Sequence, residues 1–64
     1  MDGCRYYYYG SVEEFGKCIA TNWYGETWAK SERKARNNLI HQFKKANNKS
    51  NATRITLPGK VLKK

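Results

Sequence analysis

The sequence predicts an α+β fold: a three-stranded antiparallel sheet packed on one helix in the C-terminal half, in the order β-β-β-α, with a short fourth strand at the C-terminus. Three observations carry this. Residues 30–48 form one amphipathic helical repeat; residues 5–30 hold short aromatic-rich runs broken by glycine; and after the helix Arg54-Ile55-Thr56-Leu57 alternates polar and apolar. The 64 residues make a single domain, 1–64, with 1–4 and 62–64 expected to fray. A chain of this size buries only about 60% of its unfolded surface, so its core has little to spare.

The first strand is read at Arg5 to Ser11, where four consecutive tyrosines favour extended backbone. Val12 to Gly16 is a hairpin connection in which Gly16 supplies a positive φ. Lys17 to Trp23 is the second strand, Tyr24-Gly25 a short turn, and Glu26 to Lys30 the third strand. Pairing Val12 with Lys17 and Trp23 with Glu26 sorts the side chains by the two-residue period. Tyr6, Tyr8, Ile19, Thr21, Trp23 and Trp28 then share a bulky face expected against the helix. Arg5, Tyr7, Tyr9, Cys18, Ala20, Asn22, Thr27 and Ala29 share the open face, unless the small Ala20 and Ala29 mark the place where the helix approaches.

In the helix, Ala35, Leu39, Phe43 and Ala46 fall on one stripe, widened by Ile40. The opposite arc collects Arg33, Lys34, Asn37, Asn38, His41, Lys44, Lys45 and Asn48, with no acid among them. Ser31 is the expected N-cap and Glu32 places negative charge at the positive end of the helix dipole, while Lys44 and Lys45 suit the other end. Lys34 occupies the position a capping box would give to Glu or Gln. Beyond Asn48 the chain reads as a loop, then as a short strand at Arg54 to Leu57 that can join the sheet edge beside the first strand. Pro58-Gly59 is a turn, and Lys60 to Lys64 is either a further short strand or a basic tail.

Charge is distributed unevenly. Residues 1–29 carry two basic residues against four acids, a net of −2, whereas residues 30–64 carry eleven against Glu32 alone, a net of +10. A polyanionic partner is the natural inference, with surplus lysine for solubility as the alternative. Two cysteines and one histidine without Cys-x-x-Cys or His-x-x-x-His spacing argue against zinc, and Cys4 and Cys18 fall out of register in the hairpin, so they read as free thiols in a reducing, cytoplasmic setting. No run approaches the roughly 18 apolar residues of a membrane span, and the N-terminus has no signal-peptide pattern. The acids form no constellation with His41, so neither an enzyme nor a cofactor is expected. A monomer, or a weak dimer through an exposed strand edge, completes this expectation.

Two surfaces are candidate nucleic-acid contacts. On the helix, Lys30, Arg33, Lys34, Lys44 and Lys45 would neutralise phosphates while Asn37, His41 and Asn48 reach base edges or sugars. An ordinary solvated face would intersperse glutamates at i to i+4 spacing, and this one does not. On the sheet, tyrosines beside Arg5 could stack on bases, at about 1–3 kcal/mol per base, or could fill core and edge with their hydroxyls in water.

The stretch ETWAKSERKARNNL, where strands deliver the chain into a helix with a short cap and a charged first turn, resembles the arm-type, AP2-like DNA-binding domains of tyrosine recombinases. The resemblance covers roughly Arg5 to Asn48. In that family the sheet lies in the major groove with the helix bracing its back, which implies contacts from Arg5, Tyr7, Tyr9, Asn22 and Thr27 and support from helix lysines. The TRITLPGKV tail departs from the pattern. QFKKANN followed by TRITLPGK is similar to small uncharacterised proteins of phages and integrative elements of Gram-positive bacteria, which implies an origin on a mobile element. SERKARNN is also similar to the last helix of double-stranded RNA-binding domains, whose first helix has no counterpart here. The expected function is thus that of a small basic accessory protein binding nucleic acid, duplex DNA above all, through sheet and helix. The rival expectation is an interaction protein docking on a host protein through its aromatic sheet face.

Overall fold

The computed structural model describes residues 3–50 and 52–64. Its framework is one long hairpin. Phe15 and Gly16, at φ 51° and 81°, form the two-residue turn, and positive φ at both positions gives the twist that suits antiparallel strands. From this turn β1 (Cys4–Glu14) and β2 (Lys17–Ala29) pair antiparallel, Glu14 opposite Lys17 and Cys4 opposite Ala29.

The α+β class holds, with an antiparallel sheet and one helix in the C-terminal half, but the strands are distributed differently within it. The expected second and third strands are one strand, and Tyr24-Gly25 is not a turn: Tyr24 pairs with Tyr9 and Gly25 with Tyr8. The expected Val12–Lys17 and Trp23–Glu26 pairings are replaced by Val12–Ala20 and Gly10–Trp23. Two irregularities shift the register along the hairpin. Between Gly10 and Val12, and again between Val12 and Glu13, β2 advances one residue more than β1. Each extra residue flips the alternation of side chains.

The helix α1 (Glu32–Ala46) starts where Ser31 accepts a hydrogen bond from the Lys34 amide through Oγ, at 3.3 Å. It stops at Asn47 and Asn48, the latter in the left-handed region at φ 56°, with the Lys49 amide reaching back 2.8 Å to the Lys44 carbonyl. This is a Schellman closure with asparagine where glycine is usual. Ala35, Leu39 and Phe43 are buried as expected, whereas Ala46 is exposed in the last turn.

The core joins that stripe to Tyr6, Tyr8, Val12 and Ala29 of the hairpin and to Ile55, Leu57 and Val61 of the tail, with Cys4, Ala20, Trp23 and Ile40 packed around them. Trp23 meets Phe43 edge to face, ring centroids 5.5 Å apart. The decisive contact lies at Gly25. A Cβ there would fall 2.5 Å from the Trp23 ring and 3.0 Å from Leu39 Cδ2, so the missing side chain is what lets the helix settle on the strand.

The tail runs along the other edge of the hairpin. β3 (Ile55–Thr56) pairs with Glu14 and Glu13, and β4 (Leu62–Lys63) pairs with Tyr7 and Tyr6. Five residues separate Thr56 from Leu62, and five separate Tyr7 from Glu13, so the tail is one edge strand in a single register that lifts away over Leu57 to Val61. Pro58, which lacks an amide proton, lies within that excursion. Tyr8 spans the gap: its hydroxyl donates to the Ser11 carbonyl and accepts from the Gly59 amide. The expected strand beside β1 is therefore present, and the expected fraying at 62–64 is replaced by β4 and by a Lys64 amide bond to the Arg5 carbonyl at 2.8 Å. Cys4 likewise opens β1; residues 1 and 2, and Asn51 of the expected loop, lie outside the described residues.

Two substitutions test this packing. Gly25→Ala should cost about 1–3 kcal/mol by overpacking the Trp23–Leu39 contact. Tyr8→Phe should cost about 1–3 kcal/mol by leaving the Ser11 carbonyl and Gly59 amide without their partner. Both losses are readable as lowered urea midpoints.

Candidate nucleic-acid interface

Helix packing leaves the protein two surfaces of different chemistry. Because Ala35, Leu39 and Phe43 point into the sheet, the opposite arc of α1 points away from it. On that arc Arg33, Lys34, Asn37, His41 and Lys45 are exposed, and Lys30 is exposed in the link before the helix. Lys44 is half-buried and engaged.

The flanks of α1 are fastened, not free. Asn38 Nδ2 donates to Thr27 Oγ1 at 3.2 Å and to the Trp28 carbonyl at 3.4 Å, and Gln42 Nε2 donates to the Glu26 carbonyl at 2.9 Å. Trp28 lies opposite Arg5, whose own carbonyl turns away from β2 to meet Lys64, so by the antiparallel pattern these β2 carbonyls point to its outer edge. Asn38 and Gln42 therefore cover part of an open strand edge. On the other flank Arg36 donates to the Leu57 carbonyl and, at 3.1 Å, to the Gly59 carbonyl, holding the lifted part of the tail.

The far face of the sheet follows from the register. Trp28, Arg5 and Lys64 form one cross-strand row, Glu26, Tyr7 and Leu62 a second, and Tyr24 and Tyr9 a third. Tyr9 is 62% exposed, Trp28 51%, Tyr24 48% and Leu62 47%, a run of apolar surface on a protein otherwise rich in charge. Tyr24 sits between the two tyrosines of β1, 6.2 Å from Tyr7 and 6.5 Å from Tyr9 by ring centroid. Beside them Glu26 is a charge hub. Arg5 approaches its Oε1 at 3.2 Å and Lys64 its Oε2 at 2.8 Å, and the Tyr24 hydroxyl donates to the same carboxylate.

These contacts shift the titration of the hub. The Lys64 and Tyr24 hydrogen bonds favour the ionised form and lower the Glu26 pKa from 4.5 to about 2. The same carboxylate raises the pKa of Tyr24 and of Lys64, each chiefly through the hydrogen bond it makes to Glu26.

The expected contact residues are thus divided. Arg5, Tyr7 and Tyr9 share the far sheet face, as expected, with Tyr7 half-buried. Asn22 is exposed within the irregular part of β2. Thr27 is on the helix side, held by Asn38, and Ala29 is in the core. Conversely Trp28, expected inside, faces outward, and Ile19 is 40% exposed. One continuous strand puts Trp23, Gly25, Thr27 and Ala29 on one face, and reading a turn at Tyr24-Gly25 reversed that alternation after Trp23. Tyr24 and Glu26 go unnoticed for the same reason, and Lys64 because the C-terminal residues are expected to fray rather than to pair with β1. The alternation Tyr24, Glu26, Trp28 was the available signal.

Among the described residues no group of three or more His, Cys, Asp or Glu converges on a common point, and no helix is long and apolar enough to cross a membrane. Cys4 and Cys18 are free thiols, opposite Ala29 and Glu13 near the two ends of the hairpin.

In an NMR titration the Glu26 carboxyl carbon should still report a carboxylate below about pH 4.3, where an ordinary glutamate is half protonated. A depressed folded pKa stabilises the fold above the unfolded value, and that contribution fades as the pH falls toward about 2. Lys64→Ala should move the Glu26 titration upward, since Lys64 is its largest cause. No protein-family model matches this chain, and comparison with curated proteins and with solved structures gives no match either, so a functional reading rests on these two surfaces themselves.

Proposed function

We propose that this chain is a small basic nucleic-acid-binding protein whose main ligand is duplex DNA, held through phosphates on the outer face of α1. The observation that carries this reading is the composition of that face. Lys30, Arg33, Lys34 and Lys45 are exposed, Asn37 and His41 lie between them, and Glu32, at the helix start, is the one acid in the sequence from 30 to 64. Cations would supply affinity by displacing counterions, while the amide and imidazole groups would supply directional hydrogen bonds. Arg5, Tyr7 and Tyr9 face away from a duplex held there. The role that the sequence resemblances imply is an accessory one on a phage or other mobile element; the free thiols suit a cytoplasmic setting.

A second reading, docking on a host protein through the far sheet face, is favoured by the exposed Tyr9, Tyr24, Trp28 and Leu62. Buried aromatics are the usual anchors of protein interfaces. There Tyr7→Ala with Tyr9→Ala would be the damaging change, and helix charge would matter little.

The discriminating measurement is fluorescence anisotropy of labelled duplex DNA across a salt series. Log affinity should fall with log salt at about −0.9 per phosphate neutralised. Lys34→Glu with Lys45→Glu should weaken binding to every duplex sequence alike and flatten the slope by about one per lysine. A salt-independent signal, or full affinity in the doubly reversed variant, would sink the duplex reading.

A further inference from the structure

We propose that the far sheet face is a second nucleic-acid site, specific for unpaired nucleotides, so that one molecule holds a single strand on its sheet while its helix holds a duplex. This rests on the nucleic-acid reading above and extends it to a second surface.

The two surfaces cannot share one segment of ligand. The stripe that buries α1 sets its basic arc and the Tyr9–Tyr24 face on opposite sides of a two-layer molecule. Their chemistry differs as well. The outer face of the helix carries cations, amides and an imidazole but no large aromatic ring, which suits phosphates and groove edges. The sheet presents Tyr9, Tyr24 and Trp28 as exposed rings on a pleated surface. A ring can stack on a base only when that base is free of its own neighbours, as in single strands, loops and splayed ends.

The charge hub completes the second site. Arg5 and Lys64 stand in one row with Trp28, and both are turned onto Glu26 at 3.2 and 2.8 Å. A strand whose bases lie on Tyr9 and Tyr24 would bring its phosphates to these cations, in competition with the carboxylate. Glu26 thereby weakens the site for any polyanion and leaves its strength to stacking. The helix face has the reverse balance.

The test uses a short fluorescein-labelled oligothymidine, which forms no duplex of its own, and an unlabelled duplex. The oligothymidine should bind the protein saturated with duplex as well as it binds the protein alone, giving a ternary complex by sedimentation. Tyr9→Ala with Tyr24→Ala should weaken the oligothymidine at least about tenfold, from the loss of two stacks. Glu26→Gln should strengthen it, by up to about fivefold if the released ion pairs behave as exposed pairs do. Both variants alter exposed or half-buried side chains outside the core, and circular dichroism checks their fold. Displacement of the oligothymidine by duplex would overturn the proposal, as would undiminished binding by the tyrosine variant. Duplex binding without oligothymidine binding would overturn this second site alone, whereas absence of both would overturn the reading beneath it.

Discussion

The close approach of Leu39 to Gly25 is the contact on which the arrangement depends. A strand interior is a poor place for glycine on entropic grounds, yet any Cβ at this position would press on Trp23 and Leu39. With hydrogen there, the helix sinks toward the sheet, Leu39 is fully buried and the Phe43 and Trp23 rings meet edge to face. In a chain with so little core, one well-seated helix is a large part of what holds the sheet.

Once seated, the helix acts as a strap with polar fastenings on both sides. Asn38 and Gln42 reach β2 carbonyls at its outer edge, and Arg36 reaches the carbonyls of Leu57 and Gly59. Each of these would otherwise be an unpaired backbone acceptor at a strand edge or in a lifted segment, so the fastenings satisfy backbone groups while they fix the helix direction. Tyr8 does the corresponding work from the sheet, with a buried ring and a hydroxyl that joins the Ser11 carbonyl of β1 to the Gly59 amide of the tail. Helix and tail are thus each tied to the hairpin, and through Arg36 to each other.

The same geometry separates charge from aromaticity. Lys30, Arg33, Lys34 and Lys45 emerge at the outer helix face, while the rings of the hairpin that do not enter the core emerge on the opposite side. The ion pairs on the sheet face are exposed, so their weight lies in directing local charge more than in stability. Glu26 is where the two halves meet. It belongs to the acidic first half, and it collects Arg5 from β1 and Lys64 from beside β4.

Much of this could be read along the chain. The 3.6-residue repeat of Ala35, Leu39 and Phe43 fixes a helix and its buried stripe, Ser31 marks its start, Gly16 marks the hairpin turn, and the alternation at Arg54 to Leu57 marks an edge strand, because each is a local signal with a local cause. The four tyrosines alternate as a strand must, so Tyr6 and Tyr8 turn inward and Tyr7 and Tyr9 away from the core. What the chain alone left open was the meaning of Gly25. Glycine after tyrosine is an ordinary turn signal, and only the arrival of Leu39, fourteen positions later in sequence, makes it a site of close packing within a continuous strand. That choice, together with the two extra residues in β2, sets the face of every side chain from Ile19 to Ala29. Trp28 is therefore outside and Thr27 inside for a reason that no local pattern holds: strand register is decided by what packs on it.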